Sequence, residues 1–124
     1  MQSKELAIRL ARALDAKKAL NVHILAVEEL TTVTEYFVIA TGTSTTHVGA
    51  LADEAEFQLG RQGVPALRTE GHDGKRWVLL DYGSVIVHVF TQEAHDYYDL
   101  EHLWADAKPV PAEEWMAPET AEQE

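Results

Sequence analysis

The chain has 124 residues, of which 46% are hydrophobic and none is cysteine, and its formal net charge is −11. This length and composition indicate one globular domain, and the lack of cysteine excludes disulfides, thiolate metal sites and cysteine nucleophiles. The negative charge argues against direct contact with nucleic-acid phosphates, because such contact would need a local basic patch.

The first half of the chain predicts a helix, two strands, a second helix and a short strand. Ser3 can cap the first helix, which should end near Lys17 and Lys18. Its basic residues are typical of a solvated helix face. Strand patterns follow at residues 22–27 and 36–41. The second helix begins after Gly42 and closes at Gly60 or Gly63, before a short strand near residues 66–69.

In the second half, residues 76–82 and 84–90 predict two strands that pair as an antiparallel hairpin around Gly83. Thr91 can cap a last helical segment, and Asp99 can cap its second turn. The element order predicts a single α/β domain at residues 1–107, with a mixed sheet of about five strands flanked by helices. Residues 108–124 are rich in proline and glutamate and predict a flexible tail, with Trp115 and Met116 as its only possible anchor.

The turn Gly42-Thr43-Ser44 lies where a strand opens into a helix. Free backbone N–H groups at such a place can hold a phosphate, so a nucleotide site is one interpretation. The lysine and the glycine spacing of a P-loop are missing. The turn therefore more simply indicates a helix cap, although its hydroxyl groups could also contact a partner.

Asp81 is the strand-end acid that a metal-dependent nucleotidyl-transfer enzyme would use. Such chemistry needs a second carboxylate close by, and the following residues, Tyr82, Gly83 and Ser84, do not supply one. Glu70 or Asp73 could supply it only from a distance. An aspartate that sets the hairpin turn through its own backbone is the alternative.

The histidines give little support for chemistry. Strand alternation places His88 opposite Val85, Val87 and Val89, either as a hydrogen-bonded interior residue or as a pH-sensitive contact. His95 and His102 near Asp99 are weak evidence for zinc, and His23, His47 and His72 are scattered. No serine lies near an obvious base, so a nucleophilic triad has no support.

Aromatic and acidic residues alternate near the C-terminal end of the domain. Aromatic side chains supply buried area in an interface, and acidic residues steer and orient a basic partner. A docking surface for a basic protein is therefore the favoured interpretation, with Trp104 assigned to the core. The expected partner-binding residues are Trp77, Asp81, Tyr82, His88, Tyr97, Tyr98, Leu100, Glu101, Gly42 and Ser44.

Taken together and in this order, several motifs resemble the ribosomal silencing factor family, also called the Iojap family. The resemblance covers about residues 3–107. Its motifs are residues 36–44, His47-Val48, residues 52–54, Glu70-Gly71, Trp77, residues 80–83, residues 87–90, Tyr97-Tyr98, Leu100-Glu101 and Leu103-Trp104.

This resemblance implies a nucleotidyltransferase-like α/β domain without established catalysis. It implies binding to the large ribosomal subunit through universal large-subunit protein fourteen, a small basic protein. It further implies a block on subunit joining that represses translation when nutrients are scarce, a link to large-subunit assembly and a homodimer when free. The expected protein is thus a translation repressor in the cytoplasm, with no catalytic residue, metal or cofactor and little direct nucleic-acid contact.

Three positions depart from the family pattern: Thr46, Ser84 and His95. The family often has basic residues at the first and third and an acid at the second. The changes at Thr46 and His95 weaken contacts to RNA phosphates, and the change at Ser84 removes a possible metal ligand. Two alternatives remain open: an assembly factor for the large subunit, and a nucleotide-using enzyme working with Gly42, Ser44 and Asp81.

Overall fold

The computed structural model describes residues 1–116 as a mixed six-stranded sheet with helices on both faces. The predicted helices and strands are present, most of them within two residues of their expected ends. In chain order they are α1 Ser3–Ala16, β1 Leu20–Ala26, β2 Tyr36–Gly42, α2 Thr45–Arg61, β3 Arg68–Glu70, β4 Trp77–Asp81, β5 Val85–Thr91, α3 Gln92–Tyr98, α4 Leu100–Leu103, β6 Lys108–Pro109 and α5 Ala112–Trp115.

The strands lie in the order β3-β4-β5-β2-β1-β6. The central pair, β2 and β5, is parallel and runs from Tyr36 opposite Val85 to Gly42 opposite Thr91. The other pairs are antiparallel, and β4 and β5 form the predicted hairpin. The expected α/β class and mixed sheet are confirmed, with six strands instead of about five. A likeness to nucleotidyltransferases stays a prediction.

The two faces of the sheet carry separate apolar cores. Alternate residues of β5, including Val87 and Val89, pack with α1 and α2 on one face. On the other face, Ile86 and Phe90 pack with residues of the α3–α4 region such as Leu100. Short α3 and α4 therefore sit on the opposite face from the two long helices.

The segment after residue 107 differs from the prediction. Residues 108–116, expected in a flexible tail, form β6 and α5 instead. Strand β6 pairs with the edge of β1, where Pro109 is tolerated because an edge position can lack a donor. Trp115 is only 4% exposed, and its carbonyl accepts a 2.7 Å hydrogen bond from Nε of Arg12. The rest of the predicted tail, 117–124, lies outside the described residues.

The helix caps were predicted with mixed success. Ser44 and Thr91 cap α2 and α3 as expected. Ser3 does not cap α1, because the N-cap position belongs to Gln2, which makes no side-chain capping bond. Asp99 also makes no capping bond: its left-handed backbone, with φ of 46°, turns the chain between α3 and α4.

Candidate protein-docking surface

Helices α2 and α3 both begin where the parallel strands β2 and β5 end, on opposite faces of the sheet. Ser44 Oγ accepts a 3.1 Å hydrogen bond from the backbone N–H of His47, and Thr91 Oγ1 accepts one of 3.2 Å from Ala94. Because parallel strands end at the same edge of a sheet, α2 and α3 both begin there. Trp77 pairs with the residue just before Thr91 and so lies at the same edge.

Trp77 is half-buried and is held by its neighbours on three sides. Its indole Nε1–H donates a 3.1 Å hydrogen bond to Nδ1 of His88. Its ring centroid lies 5.0 Å from that of Phe90 and 4.4 Å from that of Tyr98. The position of the indole is therefore set by the core beneath it, while part of the ring stays accessible.

Two tyrosines at the end of α3 extend this edge outward. Tyr97 is 81% exposed, and its ring stands at 89° to that of Tyr98 with centroids 5.0 Å apart. Arg76, Trp77 and both tyrosines line a shallow cleft with Ala94 at its base. We call Trp77, Tyr97 and Tyr98 the aromatic surface. Exposed, rigid aromatic rings of this kind supply contact area at low entropic cost.

Acidic residues surround the aromatic surface along the chain. Residues 92–106 contain five acidic residues and neither lysine nor arginine. Glu93, Asp96, Asp99 and Asp106 are exposed, and Glu101 is half-buried. This distribution gives residues 92–106 a negative potential, which favours a basic partner.

His95 ties α3 to α4 across the turn at Asp99. One ring nitrogen lies 3.0 Å from the Glu101 carboxylate and the other 3.2 Å from Asp96. Burial of His95 favours its neutral form, but the hydrogen bonds to Glu101 and Asp96 outweigh this effect and raise its pKa. His23 on β1 lies 3.9 Å from Glu101, so the carboxylate also links the helices to the sheet.

Three residues expected at the docking surface are buried in the free protein: Tyr82, His88 and Leu100. Tyr82 packs in the core under α1 and α2, on the opposite face from the aromatic surface. His88 lies in the sheet beneath Trp77, and Leu100 packs inward after the turn at Asp99. The interior position of His88 agrees with the first of its two interpretations. Contact of these three residues with a partner stays a prediction. Leu103 is exposed, whereas Trp104, which was assigned to the core, packs against Phe37 with ring centroids 5.1 Å apart.

Asp81 sets the hairpin turn through its side chain. Its Oδ1 accepts a 2.8 Å hydrogen bond from the backbone N–H of Gly83, whose φ of 86° is a conformation that favours glycine. Asp81 stands four residues from Trp77 on β4, about 13 Å along the strand. The hairpin turn and the aromatic surface thus occupy opposite ends of β4, and the single predicted patch divides in two.

The same register bears on the nucleotide-enzyme alternative. Gly42 pairs with Thr91 of β5, and Asp81 pairs with Ile86 of the same strand. Thr91 and Ile86 are five residues apart, or about 16 Å along β5. The turn at Gly42 also has its own partners, because the N–H of Thr43 donates to Nδ1 of His47 at 2.9 Å. Nε2 of the same histidine donates to the Lys17 carbonyl at 2.9 Å. An active site combining this turn with Asp81 does not fit the geometry.

One cluster of chemically capable residues escaped the sequence analysis. Asp53, Glu56 and His72 bring two carboxylates and an imidazole together beside α2. The only sequence signal was the spacing of the two acids by three residues, which places them on one helix face. The third member comes from a loop, whose path the sequence does not reveal.

Comparison with known proteins identifies the family to which this sequence belongs. A sequence model described as "Ribosomal silencing factor during starvation" matches residues 1–124. The chain belongs to the ribosomal silencing factor family. Ribosomal silencing factor RsfS of Halalkalibacterium halodurans is 39% identical over 113 residues, which cover 91% of this chain and 97% of that protein. The family is one of ribosome-associated regulators and is not a known enzyme family.

The fold also matches solved structures. A crystal structure of a Chromobacterium violaceum protein superposes with a TM-score of 0.82 at 36% identity, covering 89% of this chain and 92% of that one. A mouse relative named "Mitochondrial assembly of ribosomal large subunit protein 1" is 32% identical over 98 residues, covering 77% of this chain and 43% of the mouse protein. Within residues 1–116, no helix has both the length and the apolar content required to span a membrane.

Proposed function

We propose that this protein binds the large ribosomal subunit through a basic ribosomal protein, universal large-subunit protein fourteen, and represses translation by blocking subunit joining. The aromatic surface within an acidic stretch of chain carries this proposal. A basic partner would be steered by the exposed acids of residues 92–106 and would bury the tyrosine rings. A standard interface needs about 800 Å² per partner, which one face of a domain of this size can provide.

The aromatic surface offers one residue that tests binding without disturbing the core. Trp77 packs against Phe90 and bonds His88, so its removal would also lower stability. Tyr97 is 81% exposed and touches only its neighbour Tyr98 among the described aromatic rings. A Tyr97→Ala variant therefore reports on the partner more directly than a Trp77→Ala variant does.

Co-sedimentation with separated ribosomal subunits tests the proposal. We expect the parent protein to pellet with large subunits and not with small ones, and Tyr97→Ala to bind about tenfold more weakly. Phe57→Ala is the matched control, because Phe57 is an exposed aromatic residue on α2 whose ring is covered by the guanidinium of Arg61. Equal binding of the Tyr97 variant and the parent would show that the surface is wrongly assigned. Binding to small subunits alone would contradict the function itself.

A second candidate, assembly of the large subunit, is favoured by the name of the mouse relative. An assembly factor would bind the same ribosomal protein before that ribosomal protein joins the large subunit. The two functions separate in a sucrose gradient of growing cells, since an assembly factor travels with precursor particles and a repressor with mature large subunits. We also propose a homodimer when the protein is free, which light scattering would detect.

A further inference from the structure

Asp53, Glu56 and His72 form a cluster outside the aromatic surface. The two acids lie three residues apart on α2, so they project from the same side of the helix. His72 follows β3 in the loop that leads to β4. One ligand atom from each of the three side chains lies within 4.8 Å of the other two.

The cluster holds uncompensated negative charge. Across residues 1–116, none of the three side chains makes a hydrogen bond or an ion pair. Lys75 is close in sequence to His72, but its side chain lies along Gly49, one turn earlier on α2. Two carboxylates side by side repel each other, and a cation between them would remove that repulsion.

A buried hydroxyl on the same side of the sheet supplies an independent observation. Tyr82 is 7% exposed, and its phenolic oxygen has no hydrogen-bond partner among the described residues. Burial, with a smaller contribution from the nearby Glu56 carboxylate, raises the pKa of Tyr82 to about 12. A polar group buried without a partner is costly, and water bound to an ion at Glu56 could satisfy it.

The loop that carries His72 has a defined path. Gly71 has a φ of 88°, and a Cβ atom at this position would collide with the carbonyl oxygen of Trp77. Only glycine fits there, so the chain must turn at this point and present His72 towards α2. Glu56, Thr69 and His72 then line one shallow depression with Gly60 and Pro65.

We propose that Asp53, Glu56 and His72 bind a divalent transition-metal ion. One imidazole nitrogen with carboxylate oxygens suits Zn²⁺, Co²⁺ or Mn²⁺, whereas Ca²⁺ and Mg²⁺ prefer oxygen ligands alone. Ligand atoms about 2.1 Å from an ion lie at most about 4.2 Å from one another, so small side-chain rotations would close the site. Water fills the remaining coordination positions, and the ion joins the β3–β4 loop to α2.

Isothermal titration with ZnCl₂ or CoCl₂ tests this site and does not depend on ribosome binding. We expect one saturable site in the parent, and binding at least about tenfold weaker in His72→Ala, Glu56→Gln and Asp53→Asn. His102→Ala is the matched control, because His102 is an exposed histidine beside a carboxylate, 3.8 Å from Asp99. Circular dichroism of each variant checks that its fold is retained.

The site of binding is located by NMR. Substoichiometric MnCl₂ should broaden the His72 ring signals first and leave those of His95 and His102 sharp. Unchanged affinity in all three ligand variants, or preferential broadening at His95, would overturn the proposal in favour of an adventitious ion elsewhere. Absence of saturable binding at millimolar metal concentrations would overturn it as well.

Discussion

The indole N–H of Trp77 donates a 3.1 Å hydrogen bond to Nδ1 of His88, a histidine buried within β5. Nδ1 can accept this bond only while it carries no proton. Burial lowers the pKa of His88 to about 4, which keeps the imidazole neutral near pH 7. The half-exposed edge of the aromatic surface is thus supported from beneath by a histidine that must stay uncharged.

Acid should destabilise the protein through His88. The folded-state pKa is about 4 and the unfolded value about 6.5, so below pH 6.5 the unfolded chain binds a proton that the folded one does not. Stability therefore falls as the pH drops from 6.5 towards 4, by about 3 kcal/mol from this residue. Urea unfolding of the parent and of His88→Gln across this pH range measures the loss of stability. The variant keeps an acceptor for the indole of Trp77, but it should lose less stability on acidification. Equal losses would contradict this explanation.

The link between α3 and α4 should have the opposite pH dependence. The pKa of His95 is raised because the hydrogen bonds to Glu101 and Asp96 outweigh its burial. Its stabilising contribution is complete below pH 6.5 and is lost as the pH rises through the folded-state pKa. An NMR titration should show the His95 ring titrating above 6.5 in the parent and lower in Glu101→Gln. An unchanged midpoint would mean that the carboxylate does not hold the proton.

Trp115 should contribute strongly to stability although it follows the predicted domain boundary. Its side chain is 4% exposed in the core under α1 and α2. Trp115→Ala should cost about 3–5 kcal/mol of unfolding free energy, as other large-to-small changes in cores do. Met116→Ala, at a neighbouring exposed position, is the control and should change stability little. Urea denaturation measures the unfolding free energy of both variants. An unchanged unfolding free energy in Trp115→Ala would show that α5 is not part of the folded unit.

Negative charge along residues 92–106 should govern the rate of association with the ribosome. Glu93 and Asp106 are exposed, and neither makes an ion pair within residues 1–116. Replacing both with Glu93→Gln and Asp106→Asn should slow association several-fold at low salt and reduce its dependence on ionic strength. Stopped-flow binding to large subunits provides the measurement. The same rate and salt dependence as the parent would argue against steering by this segment.

The sequence predicted the fold well wherever a periodic pattern set the element. β2 and β5 are dense in β-branched and aromatic residues, and α2 has a clear apolar stripe and a serine cap. Strand β6 was missed because two residues, one of them proline, have no periodicity. Trp115 was predicted as a possible anchor of this segment, and its burial confirms that prediction, whereas Met116 is exposed.

The exposure of the expected docking residues could not be predicted from the sequence, because exposure depends on register and on turns. Tyr82 follows the last residue of β4, and only the register of the sheet shows that it faces α2. Leu100 turns inward because Asp99 adopts a left-handed conformation, which no local pattern encodes. Trp77, Tyr97 and Tyr98 remain accessible, so the aromatic part of the prediction keeps a physical basis.

A subunit-joining assay tests the central claim most directly. Purified large and small subunits are mixed with a saturating excess of this protein, and the joined fraction is read from a sucrose gradient. Our account predicts that joining falls sharply with the parent and recovers with Tyr97→Ala at the same concentration. Normal joining in the presence of saturating parent protein would contradict the account.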